Sequence, residues 1–128
     1  MNMSWQTLLA VGSGGFLGAV LRFYTVFHIA KLYPHSIPLA TLSVNVIGSF
    51  FIGILAALFI TFTPSNEVRA FLITGFLGAL TTYSTFALET YFLINTSVSM
   101  AILNILLNVF GTILSVALGY KLCLWVIN

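Results

Sequence analysis

The six charged side chains are spaced so widely that the stretches between them decide what this chain can fold into. They are Arg22, Lys31, Glu67, Arg69, Glu89 and Lys121. Between Lys31 and Glu67 lie 35 uncharged residues, between Arg69 and Glu89 another 19, and between Glu89 and Lys121 another 31. A helix crosses the hydrocarbon core of a bilayer in about 20 mostly apolar residues. The spacing predicts one span before Lys31 and three after it. Of the 128 residues, 60% are hydrophobic and 5% charged, where a soluble domain carries about 25% charged residues. Six charges cannot clothe a water-facing surface, so the lipid bilayer is the expected main solvent. The expected fold class is an all-α integral membrane protein of four transmembrane helices, one domain over residues 1–128.

The expected spans cover about 5–31, 37–62, 67–94 and 97–126. Leu32, Tyr33, Pro34, His35 and Ser36 form the first loop, and Pro38 falls in the first turn of the second span, where its missing N–H costs little. Thr63, Pro64, Ser65 and Asn66 form the second turn, with Ser65 or Asn66 as the cap of the third span. Asn95, Thr96 and Ser97 turn the chain into the fourth. Such short connections force neighbouring helices to run antiparallel. The amino-terminal apolar stretch runs on past Arg22 with no basic segment before it, so it reads as a span rather than a cleaved signal. A single cysteine, Cys123, excludes an intramolecular disulfide and a thiolate metal cluster. A net charge of +2 is too small to suggest nucleic acid. Neither a nucleophile–base pair nor a metal-ligand cluster is visible, so an enzyme is not expected.

Orientation is normally set by an excess of Lys and Arg on the cytoplasmic side. One face carries Lys31; the other carries Arg69, Lys121 and the amino terminus. That near-balance fits a protein that inserts both ways and pairs as an antiparallel dimer. It fits equally a small protein with few loop charges.

Polar residues inside the spans carry the functional information, because ionisable groups there mark pairs or pathways. Thr41, Asn45 and Ser49 are spaced by four, which stacks them on one helical face. Ser97, Asn104, Asn108, Thr112 and Ser115 form a second stripe. Single Ser and Thr residues are ordinary helix–helix glue. The amides of Asn45, Asn104 and Asn108 each offer two donors and are hard to satisfy within one helix. In the third span, Gly75-Phe76-Leu77-Gly78-Ala79-Leu80-Thr81-Thr82-Tyr83-Ser84-Thr85-Phe86 weakens a regular helix in mid-membrane. Either the helix breaks there, which is tolerated beside protein or a cavity, or the hydroxyls bond back to the preceding turn. Gly12, Gly14, Gly15 and Gly18 predict close packing of the first span. Arg22 lies where it can snorkel or cap neighbouring carbonyls. Glu89 is the acid well inside a span, placed to line a vestibule or pair with a cation. His28 and His35 read as interfacial histidines, and Trp5, Tyr24, Tyr33 and Trp125 as interfacial aromatics.

Across essentially its whole length the sequence resembles the Fluc (CrcB-type) fluoride channels. The resemblance rests on Gly-Ala-Val-Leu-Arg at 18–22, Pro-Leu-Ala-Thr-Leu-Ser-Val-Asn-Val-Ile-Gly at 38–48, the twelve residues at 75–86, and Leu-Asn-Ile-Leu-Leu-Asn at 103–108. It implies a fluoride-selective passive channel of the cell (inner) membrane, built as an antiparallel homodimer with two pores and a central structural sodium ion. The third span would be broken, with the carbonyls of Gly78 and Thr81 from both subunits holding Na+. Asn45 would be a pore donor, and the aromatic pair Tyr83 and Phe86 would line the pores with ring edges. Ser84, Thr85, Asn104 and Asn108 would continue a polar track. Arg22 matches the family's arginine and Glu89 its acid. Two positions depart from the pattern: Tyr83 stands where phenylalanine is usual, and Ala79 replaces a common glycine. The competing class is a small proton-coupled multidrug exporter, which centres on a glutamate in the first span. Here that span holds Arg22 and no acid.

Overall fold

A computed structural model describes residues 4–34 and 37–127. Four helical stretches are long and apolar enough to cross a membrane: Trp5–Leu32, Leu39–Thr61, Asn66–Thr96 and Val98–Ile127. Helix α1 (Trp5–Leu32) is capped by Ser4, whose hydroxyl accepts from the Thr7 N–H at 3.1 Å, and Lys31 in its last turn faces the negative end of the helix dipole. Helix α2 (Leu39–Thr61) starts two residues later than expected. Pro38 sits at its N-cap with ψ of 74°, outside the helical region, rather than in the first turn. His35 and Ser36 of the first loop lie outside the described residues.

The third span is assembled from pieces. Helix α3 (Asn66–Arg69) is capped by Ser65, whose hydroxyl accepts from the Val68 N–H at 3.4 Å. It passes into π-helical turns over Ala70–Leu77, then into the short helix α4 (Gly78–Leu80). The wider winding shows at its end, where the Gly78 N–H reaches the Ile73 carbonyl five residues back. Thr81 and Thr82 are extended, and helix α5 (Tyr83–Thr96) completes the span. After one linking residue, Ser97, helix α6 (Val98–Ile127) returns across the membrane.

Two close helix pairs organise the molecule: α1 against the π-helical turns, and α2 against α6. Glycines make both contacts possible. A Cβ at Gly14 or Gly18 would collide with the carbonyl oxygens of Phe71 and Phe76, and one at Gly53 or Gly119 with those of Val116 and Phe50. Backbone against backbone maximises dispersion contact where lipid supplies no hydrophobic drive for helices to associate. Much of the buried core is small, with Ala40, Val44, Ala57, Ala70 and Ala101, beside the larger Leu77, Leu80 and Phe86 of the third span. Large apolar side chains such as Phe16, Phe23, Leu118 and Trp125 point outward, as a bilayer solvent requires.

The two classes of glycine separate in a substitution test. Gly53→Ala drives its Cβ into the Val116 backbone, which cannot yield as a side chain would. It is expected to lower stability by about 1–3 kcal/mol. Gly12→Ala meets nothing within 4 Å and is expected to be neutral or to stabilise by up to about 1 kcal/mol. Unfolding of the purified protein in mixed micelles measures both.

Candidate functional site

The interruption at Thr81 and Thr82 lies deep in the third span, where freed peptide groups need protein partners. Thr81 has φ −83° and ψ 158°, and Thr82 has φ −149° and ψ 113°. The side chain of Asn45 on α2 serves both peptide groups of Thr82. Its Oδ1 accepts from the Thr82 N–H at 2.7 Å, and its Nδ2 donates to the Thr82 carbonyl at 3.1 Å. In a continuous helix that N–H would go to the Gly78 carbonyl. Arg22 on α1 donates through Nη1 to the Thr81 carbonyl at 3.3 Å. The Thr82 hydroxyl caps α5, accepting from the Thr85 N–H at 3.3 Å and donating to Thr85 Oγ1 at 2.9 Å. The break is thus held from α1, α2 and its own downstream helix.

Asn45 also opens a chain of buried amides. Its Nδ2 donates to Asn108 Oδ1, Asn108 Nδ2 donates to the side-chain and backbone oxygens of Asn104, and Asn104 Nδ2 donates to Thr90 Oγ1, over distances of 3.0–3.1 Å. Thr90 closes the chain by donating to the Phe86 carbonyl at 2.7 Å. The helical spacing of four between Asn104 and Asn108 makes this possible, since it stacks the two amides on the α6 face turned to α2 and α5.

Beside the break is a cleft of about 580 Å³. Its polar wall comprises Asn45, Ser49, Thr81, Thr82, Asn108 and Thr112, with Tyr83 and Phe86 as its aromatic edge and Gly78 at its rim. The two rings meet edge-on, centroids 5.4 Å apart at 67°. Phe86 is buried while Tyr83 is 79% exposed. The first N–H groups of α5 and the positive end of its dipole start at this point. None of the residues named on the cleft wall is charged at neutral pH.

The sequence-predicted residues divide around this cleft. Asn45, Gly78, Thr81, Tyr83, Phe86 and Asn108 all line it. Ser84 and Thr85 lie exposed on the first turn of α5, outside its lining. Asn104 has no exposed surface: its amide is turned to Thr90 and Asn108, which places it behind the wall. Arg22 reaches the break from α1. Glu89 stands apart from the cleft, with Oε1 accepting from the Thr41 hydroxyl at 2.6 Å and Oε2 without a partner among the described residues. Thr82 was not among the site residues predicted from sequence, although it anchors the break. Its signal was a hydroxyl residue just ahead of a helical run, the usual mark of an N-cap.

A multi-pass membrane protein with an interrupted span beside an uncharged polar cleft is the class that fold and site define. The family model described as CrcB-like protein, Camphor Resistance (CrcB), matches residues 9–120. Curated relatives named fluoride-specific ion channel FluC include one from Sulfurimonas denitrificans, 55% identical over 120 residues covering 92% of this chain and 93% of the relative. Another from a Sulfurovum species is 47% identical over 116 residues (90% and 91% coverage), and one from Campylobacter fetus is 42% identical over 128 residues (98% and 97%). The chain belongs to the CrcB family, and the resemblance seen in its motifs is a true kinship. Its relatives are named as channels, and channels are not enzymes.

The Asn45 contacts make a direct stability prediction. Asn45→Leu leaves the Thr82 N–H, the Thr82 carbonyl and Asn108 Oδ1 without this partner. Unsatisfied buried groups cost about 1–3 kcal/mol each, so a loss of roughly 3 kcal/mol or more is expected in micelle unfolding.

Proposed function

We propose that this chain forms a fluoride-selective passive channel that exports fluoride across the cell (inner) membrane. The observation that carries the reading is 55% and 47% identity, over 92% and 90% of the chain, to proteins named as fluoride-specific channels. The cleft supplies the chemistry. Fluoride holds its water tightly, so dehydration is the main barrier to entry. A path walled by hydroxyls, amides and helix-end N–H groups replaces that water stepwise. The edges of Tyr83 and Phe86 present the positive rim of the ring quadrupole to the anion. A wall free of Lys and Arg keeps each site weak enough for the ion to leave, which conduction requires. Ser84 and Thr85 on the exposed first turn of α5 continue the polar track beyond the cleft, while Asn45, Asn104 and Asn108 support it from within.

The pores form between two copies inserted in opposite orientations. Two features favour this arrangement: the near-balance of Lys31 against Arg69 and Lys121, and a cleft whose aromatic edge is open on Tyr83, so that one chain alone does not enclose it. A sodium ion at the centre of the pair is held by the Gly78 and Thr81 carbonyls. These residues fit that role. The helical donor to the Gly78 carbonyl is diverted to Asn45, and the Thr81 carbonyl, which accepts from Arg22, keeps a second lone pair. Unwound carbonyls of this kind are natural sodium ligands in membrane proteins. One chain offers too few oxygens, so the ion would also tie the copies together.

Purified protein in liposomes is expected to release trapped fluoride, read with a fluoride electrode, while chloride stays at the level of protein-free vesicles. Fluoride retention equal to protein-free vesicles overturns the reading. Sodium gives a second expectation. An ion bound to the folded dimer stabilises it by roughly 2.7 kcal/mol at a hundredfold excess over its dissociation constant. Replacing sodium by N-methyl-D-glucamine during unfolding should therefore lower the midpoint; an unchanged midpoint removes the ion from the proposal.

A further inference from the structure

The chain of buried amides that begins at Asn45 has a direction, and its two ends set that direction. Turning a side-chain amide end for end exchanges its donor and its acceptor, so each asparagine alone could sit either way round. The Thr82 N–H can only donate, so it requires the oxygen of Asn45, and Asn45 Oδ1 meets it at 2.7 Å. At the far end the Phe86 carbonyl can only accept. The Thr90 hydroxyl lies 2.7 Å from that carbonyl and gives it its single hydrogen. Thr90 Oγ1 then offers Asn104 a lone pair, which requires the amide nitrogen, and Asn104 Nδ2 stands 3.0 Å away. With Asn104 so turned, its Oδ1 accepts from Asn108 Nδ2, and Asn108 Oδ1 accepts from Asn45 Nδ2, each at 3.1 Å. Both ends demand the same sense, and the three asparagines carry it between them.

We propose that Thr90 is a positioning residue for the break in the third span. Its hydroxyl, used as an acceptor, fixes the sense of the amide chain and so keeps the oxygen of Asn45 on the Thr82 N–H. Thr90 is buried and absent from the cleft lining, so it acts through Asn104 and Asn108 rather than on an ion. Helical threonines often bond back to a carbonyl one turn earlier with little further consequence. Thr96 does so on the same helix, donating to the Leu93 carbonyl at 3.2 Å, and among the described residues it receives no bond from another helix. The amide arriving from α6 is what sets Thr90 apart. Without that acceptor, nothing at this end holds the Asn104 nitrogen toward α5. A reversal passed along the chain would set a nitrogen of Asn45 against the Thr82 N–H, donor against donor. The low dielectric around these amides makes that clash costly and makes the correct sense mutually reinforcing. The consequence for fluoride passage rests on the channel reading; the hold on Thr82 does not.

Hydrogen exchange at the Thr82 N–H, remote from position 90 along the chain, reads whether Asn45 keeps its hold. Thr90→Val removes the acceptor with little change of volume and is expected to speed that exchange about tenfold, the size of one lost hydrogen bond. Thr90→Ser keeps the hydroxyl and should hold the exchange at the wild-type value. Thr96→Val, which removes a hydroxyl that only bonds back, should do the same. Thr90→Cys puts a weak acceptor in the same place and should shift the exchange in the same direction as valine. Thr82 exchange at the wild-type value in Thr90→Val, or in Thr90→Cys where the valine variant does not fold, overturns the inference. Fluoride efflux from liposomes should fall by a comparable factor in Thr90→Val and stay at the wild-type rate in Thr90→Ser. Faster exchange with unchanged efflux overturns the link to conduction. A wild type that does not conduct sinks the channel reading and leaves the exchange result standing.

Discussion

A peptide N–H that leaves its helix inside hydrocarbon has no water to turn to, and at Thr82 the group that receives it is the side chain of Asn45. The same side chain donates to the carbonyl of the same residue, so one amide completes both halves of an extended peptide unit. With these bonds the third span can open in mid-membrane with both peptide groups of Thr82 satisfied. Without them the cheapest remedy would be an unbroken helix. The cleft, the projecting N-terminus of α5 and the edge-on aromatic pair all follow from the chain being open at this point. Asn45 is itself held by Asn108, and Asn108 by Asn104, so the clamp reaches from α2 through α6 to Thr90 on α5.

The clamp also depends on how closely the helices pack. Gly53 and Gly119 let α2 and α6 touch backbone to backbone. That contact brings the Asn45 and Asn108 side chains within 3.1 Å. On the other side, Gly14 and Gly18 let α1 approach the π-helical turns, which sets Arg22 within reach of the Thr81 carbonyl. The glycines thus do more than fill an interface. They fix helix separations at values where short polar side chains can bridge.

Four spans could be read from the spacing of six charges, since lipid imposes a length and a polarity that leave few alternatives. The residues of the cleft were legible as types and periods: Asn45 and Ser49 share a helical face, as do Asn104, Asn108 and Thr112. What could not be read is which amide hydrogens are already engaged. Asn104 and Asn108 look alike in sequence, four residues apart on one stripe, yet one is fully buried behind the wall and the other faces the cleft. That difference arises from the rotation of α6 against α5, which periodicity alone does not set. Thr82 was passed over for a related reason. Its hydroxyl marks a helix cap, but the peptide groups that Asn45 holds leave no trace in the side-chain pattern.

The π-helical turns over Ala70–Leu77 have a consequence for rotational phase. A π turn takes up more residues per hydrogen-bonded loop than an α turn, so side chains beyond it are out of step with those before it. The first part of the span can therefore set Gly75 against Val11 on α1 while Thr82 is presented to α2, two demands that a uniform α-helix would couple. Each residue of an α-helix advances about 100° around the axis. Rewinding these turns to α geometry would swing Thr82 away from Asn45 by a comparable angle. The wide turns behave as a phase adjuster between the half of the span that packs and the half that opens.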